Sequence, residues 1–249
     1  MRVLLCLMVL LGSAIRVAAP VQAQGSSCTT CLGTLTHDTQ LYTPLGTYKR
    51  HGSSIPKRGG KGLVLFVSAL FDGPSASERW ALVKALAQFG TFSGVAPSTS
   101  NQAVHGQKPI TVPTLDLHNS HYSSRYVLFD HRDVEDFWGN VMQKLSPADT
   151  KLVARFQYIP VLIVGNYYLS KPMVEPEEYV TDNNAAFSFA QLRYALSRNY
   201  NGLNLLGQLV SDINAETNIL VALICHADGG KPSSVCAAHT VQGLLKHVK

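Results

Sequence analysis

The stretch from Val64 to Gly90 constrains the fold of this chain more than any other. Leu63–Ser68 is a continuous apolar run rich in Val and Leu. A run this short, bounded by turn residues, reads as a strand covered on both faces. Asp72 then offers a side-chain oxygen to the free amides of a helix start, Gly73 and Pro74 are tolerated in a first turn, and Ser75 with Glu78 has capping-box spacing. Trp80, Val83, Leu86 and Ala87 recur at helical spacing and form a core-facing stripe, and Gly90 closes the element. The stretch is therefore a buried strand, a tight turn and an amphipathic helix, the opening unit of an α/β domain.

The remainder of the chain supplies further strands and helices. Ile110–Leu117 and Tyr126–Asp130 read as strands separated by a turn at Asn119-Ser120, after a polar loop over Gly94–Gln107. Asp133–Leu145, with acidic residues early, reads as helical, and Ser146-Pro147 starts a second short helix that ends near Phe156. Val161–Val164 and Tyr167–Leu169 flank Gly165-Asn166 as a hairpin. A loop at Pro172–Pro176 precedes helical patterns over Ala185–Ser197 and Leu203–Cys225, the latter one long helix or two stacked ones, ended by Gly229-Gly230. The tail from Ala237 to Lys249 is a short amphipathic helix or frayed.

Residues 1–23 have the form of a secretory signal, with Arg2 at the start, a short apolar run over Val3–Gly12 and Val21-Gln22-Ala23 as the cleavage site. The expected organisation is a signal over 1–23, a flexible Gly-, Ser- and Pro-rich segment over 24–61, and a domain over 62–249 with a C-terminal helical extension. Loss of Arg2 and Arg16 lowers the formal charge from +5 to +3, too little to argue for nucleic acid. The one basic patch, Lys57-Arg58 with Lys61, reads as a solvated linker. The mature chain has no apolar span of the ~20 residues that cross a bilayer. It is expected to be secreted or held in the cell envelope, either free or lipid-anchored at Cys28. Cys6 leaves with the signal, and the remaining four pair by proximity as Cys28 with Cys31 and Cys225 with Cys236, the other two connectivities staying open.

Phe71-Asp72-Gly73-Pro74-Ser75 resembles the Trp-Cys-Gly-Pro-Cys turn of thioredoxin at its aromatic and Gly-Pro positions, with both cysteines replaced. Tyr158-Ile159-Pro160-Val161 resembles the segment in which that fold places a cis-proline before a hairpin. A resemblance over most of the mature chain is to the uncharacterised thioredoxin-like family called domain of unknown function 929. It is carried by Glu78-Arg79-Trp80-Ala81-Leu82, Phe89-Gly90, Pro113-Thr114-Leu115, the Ile159-Pro160 hairpin and the ending Leu223-Ile224-Cys225 to Val235-Cys236. Typical members carry Cys-Pro-Tyr-Cys where this chain has Asp72 to Ser75. The resemblance implies an α/β fold with a thioredoxin-like central mixed sheet flanked by helices, extra C-terminal helices, and a cis Pro160 facing the turn at Asp72.

Thiol-disulfide exchange needs a thiolate and a resolving thiol, which Asp72 and Ser75 cannot supply. The degenerate turn, with Phe71, Asp72, Gly73, Pro74 and Ser75 on one side and Ile159 and Pro160 on the other, is read as a groove for an extracytoplasmic peptide or protein, against the simpler reading of Asp72 as a helix cap. A rival reading places redox activity at Cys28 and Cys31, and a third makes the chain a structural envelope domain. Cys225 and Cys236 are read as a structural disulfide. Asp116, His118, His121, His131 and Asp133 fit no metal motif, and no cofactor is expected. Glu175, Glu177 and Glu178 form an acidic loop cluster, and Ser75 lacks the Gly-x-Ser-x-Gly elbow of a hydrolase.

Overall fold

The computed structural model of the chain describes residues 32–36, 44–100, 110–181 and 185–249. The signal segment, Cys28, Cys31 and Asn183-Asn184 lie outside the described residues. In chain order the strands of the central sheet are β1 (Tyr48–Arg50), β2 (Lys57–Arg58) and β3 (Lys61–Ala69). After β3 come helix α1 (Gly73–Leu86) and two ribbons made by β4 (Gly90–Ser93), β5 (Ala96–Thr99), β6 (Pro113–Asp116) and β7 (His121–Ser124). Then follow β8 (Val127–Glu135), α2 (Pro147–Val153), β9 (Val161–Val164), β10 (Tyr167–Leu169) and a 3-10 turn over Pro176–Tyr179. Helices α3 (Phe189–Ser197), α4 (Leu205–Asp228), α5 (Ser233–Cys236) and α6 (His239–Leu245) complete the chain.

The central sheet runs β1-β10-β9-β3, and β3 also bonds to β2 and to β8. β3 and β8 are parallel while β9 is antiparallel to β3, so the sheet is mixed. A parallel pair needs a long crossover, and α1 with the ribbons provides it. The arrangement of a strand, the crossover helix, a parallel strand, an antiparallel hairpin and a closing helix is consistent with the thioredoxin-like expectation.

Alternation along β3 makes three layers. Val64 and Phe66 point into the larger core with Trp80, Leu82, Ile219 and Leu220 of α1 and α4. Leu63, Leu65 and Val67 join Val161 and Ile163 in a smaller core covered by Leu152 and Val153 of α2. The strand is buried on both sides, as its unbroken apolar run required. Gly165, with φ 56°, makes the β9–β10 turn, and Gly229, with φ 86°, ends the 24-residue α4 in the left-handed conformation that costs other residues a steric penalty. The Leu203–Cys225 pattern is thus one continuous helix.

Several expectations are corrected. The reading of Asp133–Leu145 as helical fails: β8 continues through Glu135, the chain turns over Asp136–Asn140, and Val141 bridges back to Glu135. The acidic residues that suggested a helix start have long-range or turn partners instead. The polar loop expected over Gly94–Gln107 contains strand β5 where it is described, paired with β6, and residues 101–109 lie outside the described residues. Helix α1 is not one-faced, since every residue but Pro74 is buried between the sheet, α4 and the ribbons. The Ser75 and Glu78 capping box is not formed: Asp72 is the cap, and Glu78 turns into the core. Arg58 is not a solvated linker residue, because β2 holds it against Asp130 and Asp149. The 24–61 segment reads as one that wraps or dangles; where it is described, Leu32 is buried and Tyr48–Arg50 pairs with β10, so that part of it wraps the domain.

Candidate functional site

The turn after β3 presents Asp72 as the cap of α1. Its Oδ2 accepts the Ser75 amide at 2.7 Å and the Ser75 hydroxyl at 2.5 Å. The carboxylate and the hydroxyl that occupy the two positions of the turn are therefore bonded to each other. Burial pushes the Asp72 carboxyl above its usual range, against the lowering by the two Ser75 donors and the charge of Arg79. Ser75 is wholly buried, with its hydroxyl also facing the Ala69 amide at 3.5 Å, and is in no position to attack a substrate.

Asp72 stands on the wall of a groove of about 430 Å³. Val67 of β3, Val153 of α2, the Phe156–Ile159 segment and Val161 of β9 complete it. The Ile159–Pro160 peptide bond is cis, as the resemblance implied. Ile159 lines the groove while Pro160 is buried behind it, and Phe71, Gly73, Pro74 and Ser75 do not line it. Phe156 and Tyr158 are groove residues that sequence reasoning passed over. Phe156 packs on Tyr158 at 6.0 Å and on Tyr168 at 5.0 Å, and Arg155 sits 4.9 Å above the Phe156 ring. The Tyr158 hydroxyl donates to the Leu169 carbonyl at 3.1 Å, which holds the partly exposed ring in place. A cluster of aromatic residues between a short helix and a strand was the available signal. The result is an open groove of mixed polarity, in which Val67, Val153, Phe156, Ile159 and Val161 supply apolar surface and Asp72 and Gln157 supply polar groups, a surface suited to an extended chain carrying apolar side chains.

Behind the turn lies a buried ionic cluster. Arg79 of α1 meets Asp133 of β8 at 2.8 Å, and both are shut off from solvent. Ser68 donates to the same Oδ1 at 2.7 Å, and His131 Nε2 lies 3.3 Å from that oxygen and 3.3 Å from the Ser68 hydroxyl. Burial alone would raise the Asp133 pKa, but the His131 hydrogen bond and the Arg79 charge hold it well below the usual range. The composition is that of a nucleophilic triad, and the geometry is not. In a proton relay the histidine stands between hydroxyl and carboxylate and uses a different nitrogen for each. Here one nitrogen faces both, the serine bonds the carboxylate directly, and Ser68 is inaccessible. The cluster anchors β3, α1 and β8 to one another beneath the turn.

The remaining candidates are dispersed. Asp116 accepts the His118 amide at 2.8 Å, His121 is exposed on β7, and His131 with Asp133 belongs to the buried cluster. Among the described residues no group of three or more His, Cys, Asp or Glu side chains could hold a metal ion. Glu175 and Glu178 form a capping box at the N-terminal end of one 3-10 turn, the Glu178 carboxyl accepting the Glu175 amide at 2.9 Å, and burial pushes Glu178 up to about 7. Cys225 and Cys236 form a disulfide that ties α4 to α5. No helix among the described residues is long and apolar enough to cross a membrane.

Residues 56–146 match the family described as Domain of unknown function (DUF929). The DUF929 match spans β2 to β8 and stops at the cap of α2, so it contains the Asp72 turn and the buried ionic cluster. It excludes the cis Pro160 hairpin, Phe156 and Tyr158. No curated protein and no solved structure matches the chain significantly.

Proposed function

We propose that this chain is a secreted, thioredoxin-like protein whose site turn has lost redox chemistry and that binds an extended peptide or an unfolded polypeptide segment in the groove beside Asp72. The observation that carries the reading is the bonding of Asp72 to Ser75 where Asp72 forms the wall of a groove lined by Phe156, Tyr158 and Ile159. Neither side chain holds sulfur, so no mixed disulfide forms at the turn. The apolar walls remain, and burying the side chains of a bound segment against them supplies affinity without covalent chemistry. Such a role is chaperone-like: recognition of exposed apolar chain outside the cytoplasm.

The test uses the mature chain with Cys28 and Cys31 changed to Ser, and a labelled, permanently unfolded polypeptide with its thiols blocked. Fluorescence anisotropy should show saturable binding, and Phe156→Ala should weaken it about tenfold, the equivalent of about 1.4 kcal/mol. A model disulfide substrate should not be turned over. Binding indifferent to both Phe156→Ala and Asp72→Ala would remove the groove from consideration, and turnover in the chain lacking Cys28 and Cys31 would overturn the loss of redox chemistry.

A further inference from the structure

Glu78 of α1 and Glu216 of α4 are both fully buried, and their carboxyl groups lie within hydrogen-bonding reach of each other. Glu78 Oε1 accepts the Met173 amide at 3.3 Å, and Glu216 Oε1 accepts the Tyr48 hydroxyl at 3.0 Å. Neither Oε2 takes a donor from any other described residue. The groups that face the pair are Tyr48 of β1, Glu175 before the 3-10 turn and Tyr179 within it, whose hydroxyl goes to the Ser77 carbonyl at 3.3 Å. Glu178 acts on Tyr179, and Lys171 acts on Glu175 and not on the pair. The nearby cations of α1 are committed elsewhere, Arg79 to Asp133 and Lys84 to Asn199 and Asn214.

Two ionised carboxylates side by side in an apolar core would each lose hydration and would repel, with no cation among the described residues to offset either cost. One proton shared by the pair removes the repulsion and gives a donor to carboxyl oxygens that otherwise have none. We propose that the Glu78–Glu216 pair is a proton-operated latch, which with its shared proton clamps β1, α1, the 3-10 turn and α4 together and loosens that seam when the proton leaves. The seam joins the edge strand of the sheet to the helix that carries the Asp72 turn, so the latch gives the fold a response to external pH that is independent of what the groove binds. Burial and mutual repulsion raise Glu78 well above an ordinary glutamate, and burial raises Glu216. Both folded values exceed the unfolded ones, so the stabilisation is complete below the ordinary glutamate pKa and is lost as pH rises through the folded values.

The experiment compares wild type with Glu78→Gln, whose amide donates the same hydrogen bond and has no proton to lose. Urea unfolding is followed from pH 4 to pH 9. The ratio of the two unfolding constants should rise with a limiting slope of about tenfold per pH unit above ~4.5, until the pair gives up its proton. Groups such as Glu178, Asp228 and His226 titrate in both proteins and cancel in the ratio. Amide exchange at Tyr48–Arg50 and Pro176–Tyr179 should accelerate with pH more steeply in wild type than in Glu78→Gln. Parallel unfolding profiles would overturn the latch. Should Glu78→Gln fail to fold, the wild type decides alone: carbon-13 carboxyl shifts of Glu78 and Glu216, followed upward from about pH 4, should show a carboxyl that stays protonated after ordinary glutamates have ionised, and two carboxylate shifts that titrate with the ordinary glutamates would overturn the proposal.

Discussion

At the scale of single residues, the Arg79–Asp133 pair shows why charge in a sequence is a poor guide to its surroundings. Asp133 opens an acidic stretch that reads as a helix start, yet its partner is 54 positions earlier, and the pair is buried beneath the site turn. Hydrogen bonds from Arg79 to the Ala69 carbonyl and from Ser68 to Asp133 complete the arrangement. Taking the cation away leaves a buried carboxylate held only by Ser68 and His131, a change that costs far more than loss of an exposed pair would. Arg79→Ala should therefore lose about 3–5 kcal/mol of stability, read from the urea midpoint, whereas an exposed control such as Arg193→Ala should fall within about 0.5 kcal/mol of wild type. Asp72 was legible by contrast, because an N-cap depends on three neighbouring residues and not on distant ones.

At the scale of elements, what was legible is what local chemistry decides. The apolar run of β3, the Ser146-Pro147 start of α2 and the Gly165-Asn166 turn all appear where their residues place them. The ribbons were less legible, since β4, β5 and β7 are short and mostly polar, and tertiary hydrogen bonds hold them. The Tyr122 hydroxyl reaches the Leu86 carbonyl, Ser124 reaches Phe89, and Trp80 reaches Pro113. Of the groove, the Asp72 turn and Ile159 could be read, while Phe156 and Tyr158 join it through packing that no motif encodes. The disulfide between α4 and α5 was legible from spacing, and its effect follows from the loop it closes, an 11-residue separation. Closing such a loop restricts the unfolded chain and contributes roughly 2–4 kcal/mol. In a chain with Cys28 and Cys31 changed to Ser, replacing Cys225 and Cys236 together by Ala should lower the unfolding free energy by about that amount, and a reducing agent should destabilise the parent but leave the further substituted chain unchanged.

At the scale of the whole molecule, the buried and half-buried titratable groups pull stability in opposite directions and so locate its maximum. Glu78 and Glu216 are raised, burial lifts Glu178 to about 7, and burial lifts Asp228 to about 6. Each is protonated in the folded chain at a pH where the unfolded chain has released its proton, so stability falls as pH rises through these values. Asp133 works the other way: its folded value is depressed, and its contribution is present above the ordinary aspartate pKa and lost as pH falls below it. Burial also lowers His226, which adds stability as pH rises toward the unfolded histidine value near 6.5 and partly offsets the decline. Because several raised carboxyls oppose one lowered histidine, the melting temperature should peak at mildly acidic pH, between about 4 and 5, and fall toward pH 8. With each net proton worth about 1.4 kcal/mol per pH unit, and each kcal/mol worth about 2–4 °C in a chain of this size, the decline should be roughly 3–5 °C per pH unit per proton. Calorimetric scans across that interval at constant ionic strength measure it, and a melting temperature that rises from pH 5 to pH 8 would show that the raised carboxyls do not govern the balance.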